Sequence, residues 1–124
     1  GGYVHHNTIV CPENWILRIL QETKDARFRP SHNGVFENNL IIYNSRIRDF
    51  VNVGPGTAPE TFTFTHNAWH NLDGSRKPTL PTTEKGGLYQ VQLDIDPAAL
   101  KEGLVTLSDA SAKDIGAQGY KRVR

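Results

Sequence analysis

The stretch VFENNLIIYN, residues 35–44, places two adjacent asparagines inside a run that is otherwise typical of a β-strand. Val, Phe, Ile and Tyr favour strands, whereas asparagine is depleted in them. A buried amide without a hydrogen-bond partner costs about 1–3 kcal/mol, so each asparagine must either face water or have a fixed partner. The stretch therefore predicts a strand that is interrupted at Asn38 and Asn39, and a repeat explains the interruption.

Three segments of the chain align when Asn7, Asn39 and Asn67 are placed level. They read YVHHNTIV, VFENNLII and FTHNAWHN, and their asparagines are 32 residues apart (7 to 39) and 28 residues apart (39 to 67), within the range of solenoid repeats. In each segment an apolar residue lies three positions before the asparagine and another lies two positions after it. Because a straight strand alternates with a period of two, this pattern indicates two strands joined by a corner at the asparagine.

The repeat predicts an all-β fold, a right-handed single-stranded parallel β-helix or solenoid. Each coil stacks on the next at about 4.8 Å, so the corner asparagines lie above one another and hydrogen-bond as a ladder. On this interpretation Asn39 faces inward and Asn38 faces solvent. The alternative role of Asn7, Asn39 and Asn67, ligation of calcium or a sugar, is less favoured because an inward amide cannot reach a ligand.

Further strands are predicted between the aligned segments, which gives about three coils before an irregular C-terminal segment. The runs WILRIL (residues 15–20) and IRDFVNV (residues 47–53) are rich in β-branched and aromatic side chains. Each run leads into a loop, at residues 21–33 and 54–60. Because both loops leave the coil at the same corner, we expect them to be neighbours in space.

The length of 124 residues indicates one domain, with coils over residues 1–74 and then a long loop and closing segment over residues 75–124. The chain contains no methionine, so we interpret it as a segment that follows further β-helix coils of the same protein. A net charge of +1 excludes a strongly basic nucleic-acid surface, and no apolar run is long enough to cross a bilayer. The single cysteine, Cys11, excludes an internal disulfide framework and gives no metal-binding pattern.

The motifs resemble those of bacterial right-handed parallel β-helix repeat proteins, the pectate lyase-like group that includes polysaccharide lyases and hydrolases. The resemblance is carried by VHHNTIV, GVFENNLIIYN and FTHNAWHN, and by LSDASAKDIGAQGY (residues 107–120), which is similar to the closing segment SPAIDAG…DIGA of such proteins. It implies the C-terminal part of a secreted, periplasmic or cell-surface protein that acts on an acidic polysaccharide or another glycan. A non-catalytic glycan-binding or cell-surface structural module is the alternative.

Two kinds of catalysis are known in such proteins, and the residues favour one of them. Lyase chemistry needs a cation that neutralises the uronate carboxylate, together with a base and an acid. Hydrolase chemistry needs two carboxyl groups about 5–10 Å apart. Carboxylates are few and scattered in this sequence, so a lyase is favoured over a glycoside hydrolase, although no residue is assigned as catalytic. No cofactor is evident from the residues, and Ca2+ enters only through the resemblance.

The residues directly before the ladder asparagines, His6, Asn38 and His66, form a predicted column on the outer surface. Stacked coils would place His6 and His66 about 10 Å apart with Asn38 between them. The functional interpretation is a sugar-binding strip, and the simpler one is a polar outer face. No metal site is predicted, because two histidines that are separated by a coil cannot both bind one zinc ion at about 2 Å.

Charged residues that follow the corners form a second candidate group. They are Arg18, Glu22, Arg46, Arg48 and Asp49. The planar guanidinium group of arginine binds a carboxylate through two parallel hydrogen bonds. We therefore predict contact with an acidic glycan here, and the alternative is a solvated edge whose ion pairs contribute little stability.

Overall fold

The computed structural model describes residues 1–10, 12–91, 93, 94, 98, 102, 105–107 and 110–117, so Cys11 and parts of the predicted closing segment lie outside the described residues. The fold is all-β with parallel sheets and almost no helix. Among the described residues, no helix is long and apolar enough to span a membrane. The elements are β1 (Tyr3–His5), β2 (Thr8–Val10), β3 (Leu17–Ile19), β4 (Val35–Glu37), β5 (Leu40–Tyr43), β6 (Val51–Val53), β7 (Thr63–Thr65), β8 (Ala68–Asn71), β9 (Leu88–Tyr89), β10 (Leu93–Asp94) and β11 (Thr106–Leu107), with short 3-10 helices at Pro59–Thr61 and Ala110–Ala112.

From β1 to β8, consecutive strands belong to different sheets. The strand orders of the three parallel sheets are β1-β4-β7, β2-β5-β8-β9 and β3-β6, and β10 pairs with β11 in an antiparallel arrangement. The first two segments of the chain each contribute one strand to all three parallel sheets, the third contributes β7 and β8, and the fourth contributes β9. We call the segments that contain β1, β4, β7 and β9 the first to fourth layers.

The strand register is the one that the alignment of the three asparagines predicts. Residues that the alignment places level are direct partners in neighbouring strands. Before the corner these partners are Val4, Phe36 and Phe64, and after it they are Ile9, Ile41 and Trp69. Since a slip of one residue would turn every core side chain outward, this agreement fixes which face of each strand is buried.

The alternation changes phase at the corner because the residue before each asparagine has a left-handed backbone. The φ angles are 53° for His6, 54° for Asn38 and 53° for His66, and Gly86 has 67° at the equivalent position of the fourth layer. Asparagine and histidine adopt this conformation more readily than most residues, and glycine adopts it freely. The choice of residue types at the corners therefore follows from the backbone.

Strand β5 is buried on both faces, and a separate apolar cluster covers each face. On the inner face, Ile41 and Tyr43 belong to a cluster with Phe36, Ile47, Phe50, Phe64 and Trp69. On the outer face, Leu40 and Ile42 belong to a cluster with Ala68, Val91, Val105, Ala112 and Ile115. The C-terminal segment thus covers the outside of the β2-β5-β8-β9 sheet.

Two predicted strands are shorter than the sequence indicated. Of WILRIL only Leu17–Ile19 is a strand, and of IRDFVNV only Val51–Val53 is one. The segment before β6 bends instead, because Asn44 accepts the N–H of Ile47 through its backbone carbonyl at 3.3 Å. Ile47 and Phe50 still reach the core, each 2% exposed, but from a bend. Apolar composition alone did not distinguish this bend from a strand.

The two loops that were expected to be neighbours are in contact. Ala58, from the loop that follows β6, donates its N–H to the backbone carbonyl of Ser31 at 2.9 Å. Residues of both loops, among them Phe28 and Pro55, also line one cleft. The prediction that both loops leave at the same corner is therefore confirmed.

The chain after β8, which begins the long loop predicted over residues 75–124, returns to the sheet. Leu80 packs against the inner cluster, Lys85 pairs with Thr65, and β9 adds to the sheet beside β8. Gly86 and Gly87 occupy the corner where the earlier layers have a histidine or asparagine and then an asparagine. An alignment that depends on asparagine could not find this fourth layer.

Candidate functional site

Asn7, Asn39 and Asn67 hydrogen-bond to one another in a row through the layers. Asn7 donates its backbone N–H and its Nδ2 to Asn39 Oδ1, at 2.9 and 3.0 Å. Asn39 donates in the same way to Asn67 Oδ1, at 3.0 and 3.1 Å. The Nδ2 groups of Asn39 and Asn67 also donate to the backbone carbonyls of Val4 and Phe36. Asn39 and Asn67 are fully buried while Asn7 is exposed, so the buried part of the row stabilises the corner.

A carboxylate ends this row at the fourth layer. Glu84 Oε2 accepts the backbone N–H and the Nδ2 of Asn67, at 3.1 and 2.7 Å. Glu84 Oε1 accepts the indole N–H of Trp69 at 2.7 Å. Three donors from two buried residues therefore depend on one side chain, which the sequence analysis did not single out because Glu84 lies outside every repeat it aligned.

The predicted column of His6, Asn38 and His66 occupies equivalent corners of three layers, but its members have different surroundings. His6 Nδ1 lies 2.9 Å from Nδ1 of the preceding His5. The backbone carbonyl of Asn38 accepts the N–H of Gly116 at 2.8 Å, so the C-terminal segment crosses the column there. Asn38 and His66 line a cavity of 230 Å³ with residues of that segment, and His6 does not.

The predicted arginines lie on strand β3 and on the bend before β6, with Arg18 in β3 and Arg46 and Arg48 in the bend. The backbone N–H groups of Arg48 and Asp49 donate to the carbonyls of Glu13 and Asn14, at 3.3 and 2.9 Å, which stacks the two bends. Arg18 lies 5.4 Å above the Trp15 ring in a cation–π contact. The bend of the first layer, which precedes Arg18, therefore contacts the bend of the second layer, which contains Arg48 and Asp49.

Arg76 adds a third layer to this surface. Its Nη1 donates to the Ile47 carbonyl at 2.7 Å and its Nη2 to the Arg48 carbonyl at 3.5 Å, while its guanidinium lies 4.9 Å from the Phe50 ring centre. The sequence analysis missed Arg76 because it falls in the long segment after β8. We define the arginine surface as Arg18, Arg46, Arg48 and Arg76, which are all exposed.

The acidic candidates differ in how they relate to the arginine surface. Asp49 lies 3.9 Å from Arg48, but both side chains are largely exposed, at 51% and 76%, so the pair contributes little. Asp73 Oδ1 accepts the backbone N–H and the hydroxyl of Ser45, each at 2.8 Å. Among the described residues, no hydrogen bond or ion pair links Glu22 to these arginines. The structure therefore groups Asp49 with the arginines and leaves Glu22 on the neighbouring loop.

Tyr43 joins the arginine surface to the core. Its hydroxyl donates to the backbone carbonyl of Arg76, and its ring packs edge-on against Phe50 and Trp69. Burial raises the pKa of the Tyr43 phenol above its ordinary value, and the nearby positive charge of Arg76 only partly offsets this effect. The phenol therefore stays protonated at neutral pH and holds the chain at Arg76 in place.

Alkaline conditions should reveal this role of Tyr43. Because its folded-state pKa is raised, the phenol stabilises the fold fully below the unfolded pKa of about 10, and this contribution is lost as pH rises through the folded pKa. We expect Tyr43→Phe to cost about 1 kcal/mol at about pH 8 and to weaken the loss of stability above about pH 10. Urea unfolding at both pH values measures this, with the exposed Tyr3→Phe as control. An unchanged pH profile in Tyr43→Phe would contradict the assignment.

No three His, Cys, Asp or Glu side chains of the described residues form a group that could hold a metal ion. Comparison of the chain with protein-family models, with curated proteins and with solved structures found no match. The interpretation of the site therefore depends on its own chemistry, on the strand topology and on the sequence resemblance.

Proposed function

We propose that this chain is part of a right-handed parallel β-helix protein and that its arginine surface binds an acidic polysaccharide. Support for the coil comes from the strand order, because successive layers contribute strands to the three parallel sheets in the same sequence. Connections between parallel strands of one sheet are right-handed in about 98% of cases, which favours that hand for the coil.

The observation that carries the binding proposal is the group of exposed arginines on and beside the stacked bends, where Arg76 bonds to the Arg48 carbonyl and Arg18 lies over Trp15 of the first bend. The ion pairs recorded among the described residues are Arg27–Asp25 and Arg48–Asp49, so neither Arg18 nor Arg46 is neutralised by a close carboxylate there. Arg18 is level with Asn52 and Arg48 is level with Glu13, so the cations lie at different positions along the surface. An acidic glycan offers carboxylates along its length, and each can accept two parallel bonds from one guanidinium.

Trp15 gives the arginine surface a second means of recognising sugars. It is partly buried in the bend before β3, with Arg18 over its ring. An aromatic face that carries a cation presents both apolar area and charge to a sugar acid. These features support binding directly, whereas β-elimination would also require a proton acceptor at the surface. Glycan binding is therefore the function proposed here, and lyase activity, a calcium requirement and an extracellular location stay predictions from the resemblance.

Loss of two arginines should weaken binding of acidic polymers strongly. A charge-assisted hydrogen bond contributes about 1.5–3 kcal/mol, and about 1.4 kcal/mol corresponds to a factor of ten in affinity. We therefore expect Arg18→Ala/Arg48→Ala to lower the affinity for pectate, alginate or chondroitin at least about tenfold. Calorimetric titration at two salt concentrations measures this, with and without Ca2+, because binding through exposed charges weakens as salt rises.

Arg27→Ala is the matched control for this experiment. Arg27 is similarly exposed, at 85%, but lies in the loop after β3 and pairs with Asp25 at 2.6 Å. Its loss should leave polysaccharide affinity unchanged. Equal binding by the double variant, or equally tight binding of a neutral polymer, would contradict the proposal. The same mixtures, followed by ultraviolet absorbance for unsaturated uronate, would reveal lyase activity.

A further inference from the structure

A mainly apolar cavity with charged side chains at its rim lies at the opposite end of the β2-β5-β8 strands from Arg46 and Arg76. It has a volume of 230 Å³ and lies between the corners of the second to fourth layers and the C-terminal segment. Its lining includes apolar, cationic, anionic and amide groups. Among the residues that line it are Asn38, His66, Leu88, Lys113, Asp114 and Ile115.

The C-terminal segment is fixed on both sides of its charged residues. Ala112 and Ile115 are buried in the outer apolar cluster, at 0% and 5% exposure. Gly116 donates its N–H to the Asn38 carbonyl at 2.8 Å. Lys113 and Asp114 lie between these anchors and are exposed. The anchors therefore hold two opposite charges at the rim of the cavity.

His66 forms the opposite wall and is fixed by its corner. Its left-handed backbone directs the residue out of the sheet, and its N–H donates to the Lys85 carbonyl at 2.9 Å. A Cβ atom on Gly86 would lie 2.6 Å from His66 Cδ2 and 2.7 Å from Nε2. The imidazole thus lies directly against the Gly86 backbone. Any side chain at position 86 would clash with it.

The charged side chains of Lys113 and Asp114 are available to a ligand. Neither Lys113 nor Asp114 takes part in an ion pair with another described residue. The ammonium and imidazole groups can donate to an anionic group, and the carboxylate can accept from hydroxyls. Leu88 and Ile115 supply an apolar wall between them. Apolar lining with a few convergent polar groups is the usual composition of a small-molecule site.

We propose that this corner cavity binds a single uronic acid residue. Lys113 and His66 bind the carboxylate of the sugar. Asp114 and Asn38 bind its ring hydroxyls. Leu88 and Ile115 contact the C–H face of the ring. The volume is below the range of about 300–1,000 Å³ for drug-sized ligands, which favours one sugar ring over an oligosaccharide. The choice of an acidic sugar rests on the proposed function, and the charges at the cavity support it independently.

Titration of the full chain with monosaccharides tests this site without involving a polymer. Galacturonate and glucuronate are added while the imidazole signal of His66 and the amide signals of Lys113 and Asp114 are followed by NMR. We expect saturable shifts at these signals with a dissociation constant of about 1 mM, and weaker shifts with galactose and glucose. Equal shifts with the neutral sugars, or no shifts at these three residues, would overturn the proposal.

Two corner variants separate recognition from folding. His66→Asn removes the imidazole and keeps a residue type that tolerates the left-handed backbone, so we expect at least about fivefold weaker uronate binding. His6→Asn is the matched control, because His6 has the same φ of 53° but does not line the cavity. Lys113→Gln should weaken binding to a similar extent. Unchanged affinity in both His66→Asn and Lys113→Gln would also overturn the proposal.

The arginine variants keep this inference distinct from the proposed function. Arg18→Ala/Arg48→Ala should leave the monosaccharide shifts at His66 unchanged, since neither arginine lines the cavity. Polymer binding that depends on the arginines, without monosaccharide shifts at the cavity, would overturn the cavity and leave the arginine surface standing. Monosaccharide shifts at His66 without polymer binding would support the cavity and overturn the arginine surface.

Discussion

Glu84→Ala is expected to lower the free energy of unfolding by about 3–5 kcal/mol, because one side chain satisfies three donors. Two of these donors belong to Asn67, which is fully buried, and the third is the indole N–H of Trp69, which is 1% exposed. Leaving a buried donor without a partner costs about 1–3 kcal/mol, and water can replace only part of the loss. Since a domain of this size has about 5–15 kcal/mol of stability in total, the variant should lose a large fraction of it.

Urea unfolding followed by tryptophan fluorescence measures this effect, because Trp69 reports on the contact itself. Glu84→Gln keeps the length of the side chain but replaces one acceptor oxygen with a donor, so its loss of stability should be smaller than that of Glu84→Ala and still measurable. If Glu84→Ala does not fold, the comparison with Glu84→Gln still tests the assignment. Glu22→Ala is the control, as Glu22 is exposed in a loop. A loss below 1 kcal/mol in Glu84→Ala would show that the carboxylate does not support the row.

Asn39→Ala is expected to cost about 2–4 kcal/mol, the second largest effect. The Asn39 amide accepts two hydrogen bonds from Asn7 and donates to Val4 and Asn67, all without access to water at Asn39 itself. Its removal leaves the backbone carbonyl of Val4 and the N–H of Asn7 without these partners. It also creates a small void at a buried corner, which adds to the cost.

The same substitution at the exposed end of the row provides the control. Asn7→Ala removes two donated bonds, to His5 and Asn39, at a position that water reaches. We expect it to cost no more than about 1 kcal/mol. Thermal and urea unfolding of both variants tests whether the cost follows burial along the row. Equal losses at positions 7 and 39 would mean that burial of the amide does not determine its contribution.

Asparagine carried most of the information about the fold that the sequence could supply. A residue that is poor in strands, recurring at about thirty-residue intervals between apolar positions, fixed the register of three layers. The fourth layer was missed because its corner contains Gly86 and Gly87, which provide the same backbone freedom but no side chain to align. In the fourth layer the acceptor is Glu84, which precedes the corner at Gly86 and Gly87 in the sequence. This position does not repeat in the other layers, so no periodic pattern could indicate it.

The candidate sites were predictable only where they belong to the repeat. Arg18 and Arg48 were found because they follow predicted corners, and their bends do stack. Arg76 comes from a non-repeating segment, and its position depends on bonds to the Ile47 and Arg48 carbonyls. Lys113 reaches the corner cavity only because the C-terminal segment folds back over the sheet, a long-range packing that local pattern cannot reveal.

The asparagine row also has a direction, which matters while the chain is being synthesised. Each layer donates its corner amides to an acceptor that lies further along the chain, by 32 residues from Asn7, 28 from Asn39 and 17 from Asn67. No corner can therefore complete its bonds until the ribosome has made the next acceptor. A nascent chain that has reached residue 80 already contains three corners, and Asn67 can already donate to the Phe36 carbonyl, but its two bonds to Glu84 cannot yet form. The row of hydrogen bonds can therefore be completed only after Glu84 has been synthesised.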